Sequence, residues 1–200
     1  MTTSIPASEN KATITYKLTF STSDTPLTGE KTTTSRNPVA SFWYQSKAEP
    51  KGSTFADTYQ HSKDAELLLL DYLAEKVVAK FEVAADDGWG VVGKGGKQKA
   101  ASPEEVRAIQ QKVYEGAGKV AKGEVTIFSD FGPCHSCRDV INQFRREFPN
   151  VKVIIKYRKP DGDNPLMAAG TGMYGTYGCG DAVREKAVWV KVFEPLNGQT

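Results

Sequence analysis

The chain is poor in the residues that staple small proteins or close a metal shell: of 200 residues, three are cysteine and two are histidine. An odd, low cysteine count excludes a disulfide framework and suits a reducing compartment or a metal. Long apolar runs are also missing. "LLLL" at 67–70 is far short of the roughly 20 residues that cross a bilayer, so no membrane span is expected. Neither sign of charge is in excess: 26 Lys and Arg face 24 Asp and Glu, a net charge of +2. Strong sequence-independent attraction to nucleic acid is therefore not written into the total. The opening "MTTSIPASEN" lacks a basic stretch followed by an apolar one, so no secretion signal is expected. No internal repeat is visible.

What is present fits a globular protein. Hydrophobic residues are 39% and charged residues 25%, enough for one core. A single domain over 1–200 is expected, with a flexible N-terminus at 1–10, a Gly/Lys-rich insertion at 86–102 and a Gly-rich loop at 158–185. Lys94, Lys97 and Lys99 make that insertion basic; it is either a solvated loop or a phosphate grip. Alternation in "ATITYKLTFST" (12–22) predicts a strand, the polar stretch 25–37 a loop, and the aromatic "VASFWYQS" (39–46) a second strand pairing with the first. Leu67, Leu70, Leu73 and Val77 recur at helical spacing, with Ser62 or an earlier residue as the cap. Ser102, Pro103 and Glu105 open a second helix that closes on glycine at 116–118. Strands follow at 124–130, 151–157 and 186–193. A third helix lies between the first two of these, with Val140, Ile141, Phe144 and Phe148 on one face and Pro149 as its stop. The fold class expected is α/β: a single mixed five-stranded sheet flanked by helices.

The chemistry concentrates in "FGPCHSCRDVINQF", residues 131–144. Cys134 and Cys137 stand three apart behind Pro133, at a helix entry where a missing N–H is tolerated. Such a pair is two buried thiols, a redox motif, half of a structural zinc site or part of a catalytic one. A closed structural site needs two more Cys or His ligands at short spacing. The chain offers only Cys179, alone among glycines, with His61 and His135. A catalytic zinc needs three protein ligands and one open position. Zinc deaminases place P-C-x-x-C at one helix start and H-x-E at an earlier one; here the earlier helix opens Asp64-Ala65-Glu66. Residues two apart do not share a helix face, so a metal is expected at the helix start. Two helix N-termini would then converge, and their dipoles favour anions.

On "DAELLLLDYLAEKV", the strand "GEVTIFSD" and "PCHSCRDVINQFRREFPNVKVIIKY", the chain resembles the zinc-dependent cytidine-deaminase-like superfamily. It is similar to the bacterial toxin-type (polymorphic toxin) branch of nucleic-acid deaminases, over roughly residues 10–195. The resemblance implies a cytidine-deaminase-like three-layer fold, Zn2+ held by Asp64, Cys134 and Cys137, and Glu66 as the proton shuttle. The family's usual first ligand is His or Cys. Asp64 stands at that position, and carboxylate oxygen also binds zinc. His61, one helical turn earlier, is the alternative ligand or a support for Asp64. Asn37, Trp43, Ser129, Pro133 and His135 are implied to face substrate. The plain alternative for each is structural, a turn residue or, for Trp43, strand core.

The function implied is hydrolytic conversion of cytosine to uracil in DNA. Single-stranded DNA is favoured because no base need be extracted; double-stranded DNA remains open. The chain would be the catalytic domain of a toxin, carried by a larger secreted protein into the target-cell cytoplasm. DNA and a cognate immunity protein are the implied partners, and the chain would act as a monomer without membrane contact. Two alternatives stay open: a deaminase of RNA or free nucleosides, and a non-catalytic binding module stabilised by zinc.

Overall fold

In β1 (Lys11–Phe20), every second side chain is buried, from Ala12 through Ile14, Tyr16 and Leu18 to Phe20, while the residues between face outward. This period-2 alternation is what a strand lying on a core requires. The computed structural model describes residues 10–35, 43–44, 64–85, 103–133, 135–159 and 182–198. The remaining elements are β2 (Ser23–Thr34), α1 (Ala65–Ala85), α2 (Pro103–Val120), β3 (Ala121–Phe131), α3 (His135–Glu147), β4 (Val151–Lys159), β5 (Val183–Glu185) and β6 (Val188–Phe193). The strands form one mixed sheet in the order β2-β1-β3-β4-β6-β5. A single mixed α/β sheet flanked by helices is the fold class the sequence implies; among the described residues the strands number six rather than five.

Among the described strands only β3 and β4 run parallel, joined by α3. The register sets Ile14 opposite Ile127 and Ile127 opposite Ile155. All three are fully buried, and each contributes about 1.5–3 kcal/mol. Above this row, Leu67, Leu70, Leu73 and Val77 of α1, Tyr114 of α2, and Val140, Ile141 and Phe144 of α3 share one core cluster. The described helices thus pack on one sheet face. At its far end Phe144 and Phe148 stack at 4.6 Å between ring centroids.

Several elements differ from the expectation. β2 occupies 23–34, largely the stretch expected as a loop. Its side chains are mostly exposed, so it carries no alternation to read. Pro26 is tolerated because the strand is an edge and the register shifts between Leu18 and Phe20, leaving Pro26 without a ladder partner. Of the strand expected at 39–46, Trp43 and Tyr44 are described and are not strand; the rest of that stretch lies outside the described residues, as does 86–102. β5 falls within the expected 158–185 loop and forms a hairpin with β6. The turn between them holds Lys186 at φ 57°.

Two glycines read as stop signals or passed over have packing roles. α2 runs through Gly118 to Val120, because a Cβ at Gly118 would lie 2.3 Å from the Glu147 carbonyl oxygen. The glycine lets α2 approach the end of α3. Gly123 has φ 131°, and a Cβ there would lie 2.0 Å from the Lys17 carbonyl oxygen. Backbone strain of about 1–3 kcal/mol then adds to overpacking of similar size. Gly123→Ala is expected to lower unfolding free energy by about 2–4 kcal/mol in urea titrations. A loss of less than about 0.5 kcal/mol, the scatter of ordinary surface changes, would contradict this account.

Candidate active site

The parallel strands β3 and β4 bring their C-terminal ends to one edge of the sheet, the place where open α/β sheets bind ligands. Two helix starts meet there. Asp64 precedes α1, and its carbonyl accepts the first helical hydrogen bond from the Leu68 N–H at 3.1 Å. Asp64, not Ser62 or an earlier residue, therefore holds the N-cap position, which favours Asp. Glu66 lies in the first turn of α1. Across from it α3 begins at His135, with Cys137 in its first turn. Pro133 lies two residues ahead of that helix instead of at its first position, and it is buried. Both helix starts carry partial positive charge and so favour acidic side chains.

Packing brings three of the sequence's candidates into contact. The Cys137 thiol reaches Asp64 Oδ2 at 3.3 Å and Glu66 Oε2 at 3.4 Å. All three are deeply buried, Glu66 at 2% exposure. The other Glu66 oxygen is held from β3 and from the residue before β1. Ser129 Oγ lies 2.8 Å from Glu66 Oε1, and the Asn10 side-chain amide donates to the same oxygen at 3.1 Å. Ser129, fully buried, also stands 2.7 Å from the Phe131 carbonyl and 3.0 Å from Asn10 Oδ1. A hydroxyl has one proton for these three acceptors. A protonated Glu66 would ease the shortage by donating to Ser129. Burial, and then the neighbouring Asp64 carboxylate, push the Glu66 carboxyl above its ordinary value. Hydrogen bonds from its own backbone, Ser129 and Cys137 act the other way. A buried carboxyl whose proton affinity is raised is suited to general acid–base work.

Two of the expected donors, Asp64 and Cys137, stand at a spacing that zinc accepts. At ordinary Zn–S and Zn–O lengths, two ligand atoms of a tetrahedral site stand roughly 3.6 Å apart, close to the 3.3 Å between Cys137 Sγ and Asp64 Oδ2. Among the described residues no three Cys, His, Asp or Glu make a complete ligand group. Cys134, the expected third ligand, lies outside the described residues, as do His61 and Asn37 and the side chain of His135. Trp43 is placed away from Glu66. Its backbone N–H donates to Asp71 Oδ1 at 2.7 Å, further along α1, and its ring lies 4.9 Å from that of Tyr114.

Asn10 is the site residue that sequence reading missed. It closes "MTTSIPASEN", the stretch expected to be flexible, and belongs to no motif. The signal was the register of β1: Ala12 pairs with Ser129, which sets residue 10 level with Phe131, at the end of the strand that feeds the cysteine helix.

A buried glutamate and a cysteine thus face each other from two helix starts, at the carboxyl end of a parallel strand pair in a mixed sheet. Residues 104–159, covering α2 from its second residue through β3, α3 and β4, match a toxin-deaminase family, the BURPS668_1122 family of deaminases. The matched stretch is similar to that family and covers less than a third of the chain. Asn10, Asp64 and Glu66 lie outside the matched stretch. Neither the curated proteins nor the solved structures contain a match to the chain.

Proposed function

We propose that the protein is a toxin-type deaminase of the cytidine-deaminase-like superfamily, dependent on zinc, which converts cytosine to uracil in DNA, with single strands favoured, inside a target cell that a larger secreted protein reaches. DNA is the proposed partner, with a cognate immunity protein restraining the toxin. One observation carries the reading: a buried Glu66 carboxyl beside Asp64, 3.4 Å from the Cys137 sulfur and 2.8 Å from the Ser129 hydroxyl. No helix among the described residues is long and apolar enough to cross a membrane.

Deamination adds water at C4 and releases the exocyclic amine as ammonia, so cytosine and water give uracil and ammonia. Protons must move from the water to the ring nitrogen and to the leaving amine. Glu66 would carry them; in support, Oε1 is held by Asn10 and Ser129, and Oε2 lies near the Cys137 sulfur. Asp64, Cys134 and Cys137 would hold zinc, which when bound supplies a Lewis acid that makes water nucleophilic near neutral pH. The α1 and α3 termini favour negative charge around it.

The test is a substrate panel with the purified chain: cytosine and adenine in single- and double-stranded DNA, in RNA and as free nucleosides. Uracil is expected in DNA, faster in single strands. A chelator should abolish turnover, and added zinc should restore it. Product only in RNA or nucleosides would replace the substrate. No product from a chain carrying one zinc would leave a binding module.

A further inference from the structure

Asn10 stands outside every deaminase motif in the chain, yet its side chain reaches three residues of the site, on α1 and β3. The Phe131 N–H can only donate, so the amide atom facing it at 3.3 Å is the carbonyl Oδ1. That orientation turns Nδ2 toward Glu66 Oε1, at 3.1 Å. Oδ1 also lies 3.0 Å from the Ser129 hydroxyl. The backbone is fixed as well. Asn10 N–H donates to Ser35 Oγ at 3.1 Å, and Ser35 N–H donates back to the Asn10 carbonyl at 2.9 Å. Flipping the amide would set Nδ2 against the Phe131 N–H and Oδ1 against the carboxyl oxygen, so this arrangement has one satisfied orientation.

We infer that Asn10 is a positioning residue for Glu66, clamping Oε1 so that Oε2 alone faces the reacting groups. The inference rests on the deaminase reading of Glu66 and adds a residue to it. Without the clamp, Glu66 keeps the Ser129 contact but can swing about its side-chain torsions. Misplacing a catalytic group by about 1 Å can lower a rate by about a hundredfold. Substrate binding does not pass through Oε1, so KM should be spared.

Asn10→Asp is the decisive variant. It retains an oxygen for Phe131 and Ser129 and sets a carboxylate oxygen, which repels Oε1, in place of the donor that reaches Glu66. The expected result is a kcat about ten- to a hundredfold lower, with KM within about twofold and with zinc per chain and melting temperature as in the parent protein. A kcat equal to the parent's, or a loss carried by KM alone, would overturn the clamp. A second measurement covers a variant that fails to fold. In the 15N-labelled parent protein, the Asn10 side-chain amide resonances should move when Glu66→Ala is introduced; unmoved resonances would overturn the clamp. If the parent protein turns over nothing in the substrate panel while those resonances do respond, the deaminase reading falls and the Asn10–Glu66 contact stands.

Discussion

Glu66→Gln is expected to lower kcat for deamination about a thousandfold, within the range of about 10²–10⁴ that a positioned proton carrier supplies. Glutamine has the shape of glutamate, so the contacts to Asn10, Ser129 and Cys137 remain within reach, but it cannot hold or release the proton. Zinc content should not change. A variant within about tenfold of the parent rate would remove Glu66 from the chemistry. The same substitution has a signature in stability. With metal chelated, the folded chain holds the Glu66 proton above its ordinary value of 4.5, first because the group is buried and then because Asp64 is adjacent. From the unfolded value up to the raised folded one, the native state therefore binds more protons than the unfolded state. Stability is full below that window and falls as pH rises through it. Glu66→Gln removes this group's share of the slope, so in urea titrations from pH 4 upward the variant should gain on the metal-free parent as pH rises. Parallel pH profiles for the two proteins would contradict the burial-driven shift.

Cys137→Ala is the second large effect, and it acts on metal more than on fold. Its sulfur sits between Asp64 Oδ2 and Glu66 Oε2. Outer partners of metal ligands alone are worth about 10–100-fold in affinity, so loss of a ligand should weaken zinc binding by more than about a hundredfold. Turnover should fall with zinc occupancy, and zinc per chain after dialysis should drop from one toward none. The helix itself should persist. Val140, Ile141, Phe144 and Phe148 remain buried against the sheet, and a buried Cys behaves as a small apolar residue. Zinc measured at parent stoichiometry in Cys137→Ala would reduce Cys137 to a core thiol.

Three helices, the buried strand at 124–130 and its neighbour at 151–157 were legible in the sequence, because their apolar residues repeat at 3.6 or 2 and their ends carry Pro, Gly or acidic signals. β2 was not. An edge strand with mostly exposed side chains is held by its ladder to β1, and a ladder leaves no mark in the composition of one segment. The glycine at 118 misled for a related reason: it resembles a helix stop, yet its role is room for a carbonyl of another helix. In the site, Asp64, Glu66 and Cys137 were found by spacing within their own segments. Ser129 was expected to face substrate and lies fully buried beneath Glu66.

The sequence by itself determined the candidate side chains and the helix starts at which they stand, since capping, periodicity and motif spacing operate over a few residues. Tertiary structure alone decided who touches whom. Glu66 meets Asn10 across 56 positions, Ser129 across 63 and Cys137 across 71. Such contacts come from strand register and from helices packing on one sheet face. No local pattern records either, because the same short segment would read identically wherever the sheet placed it.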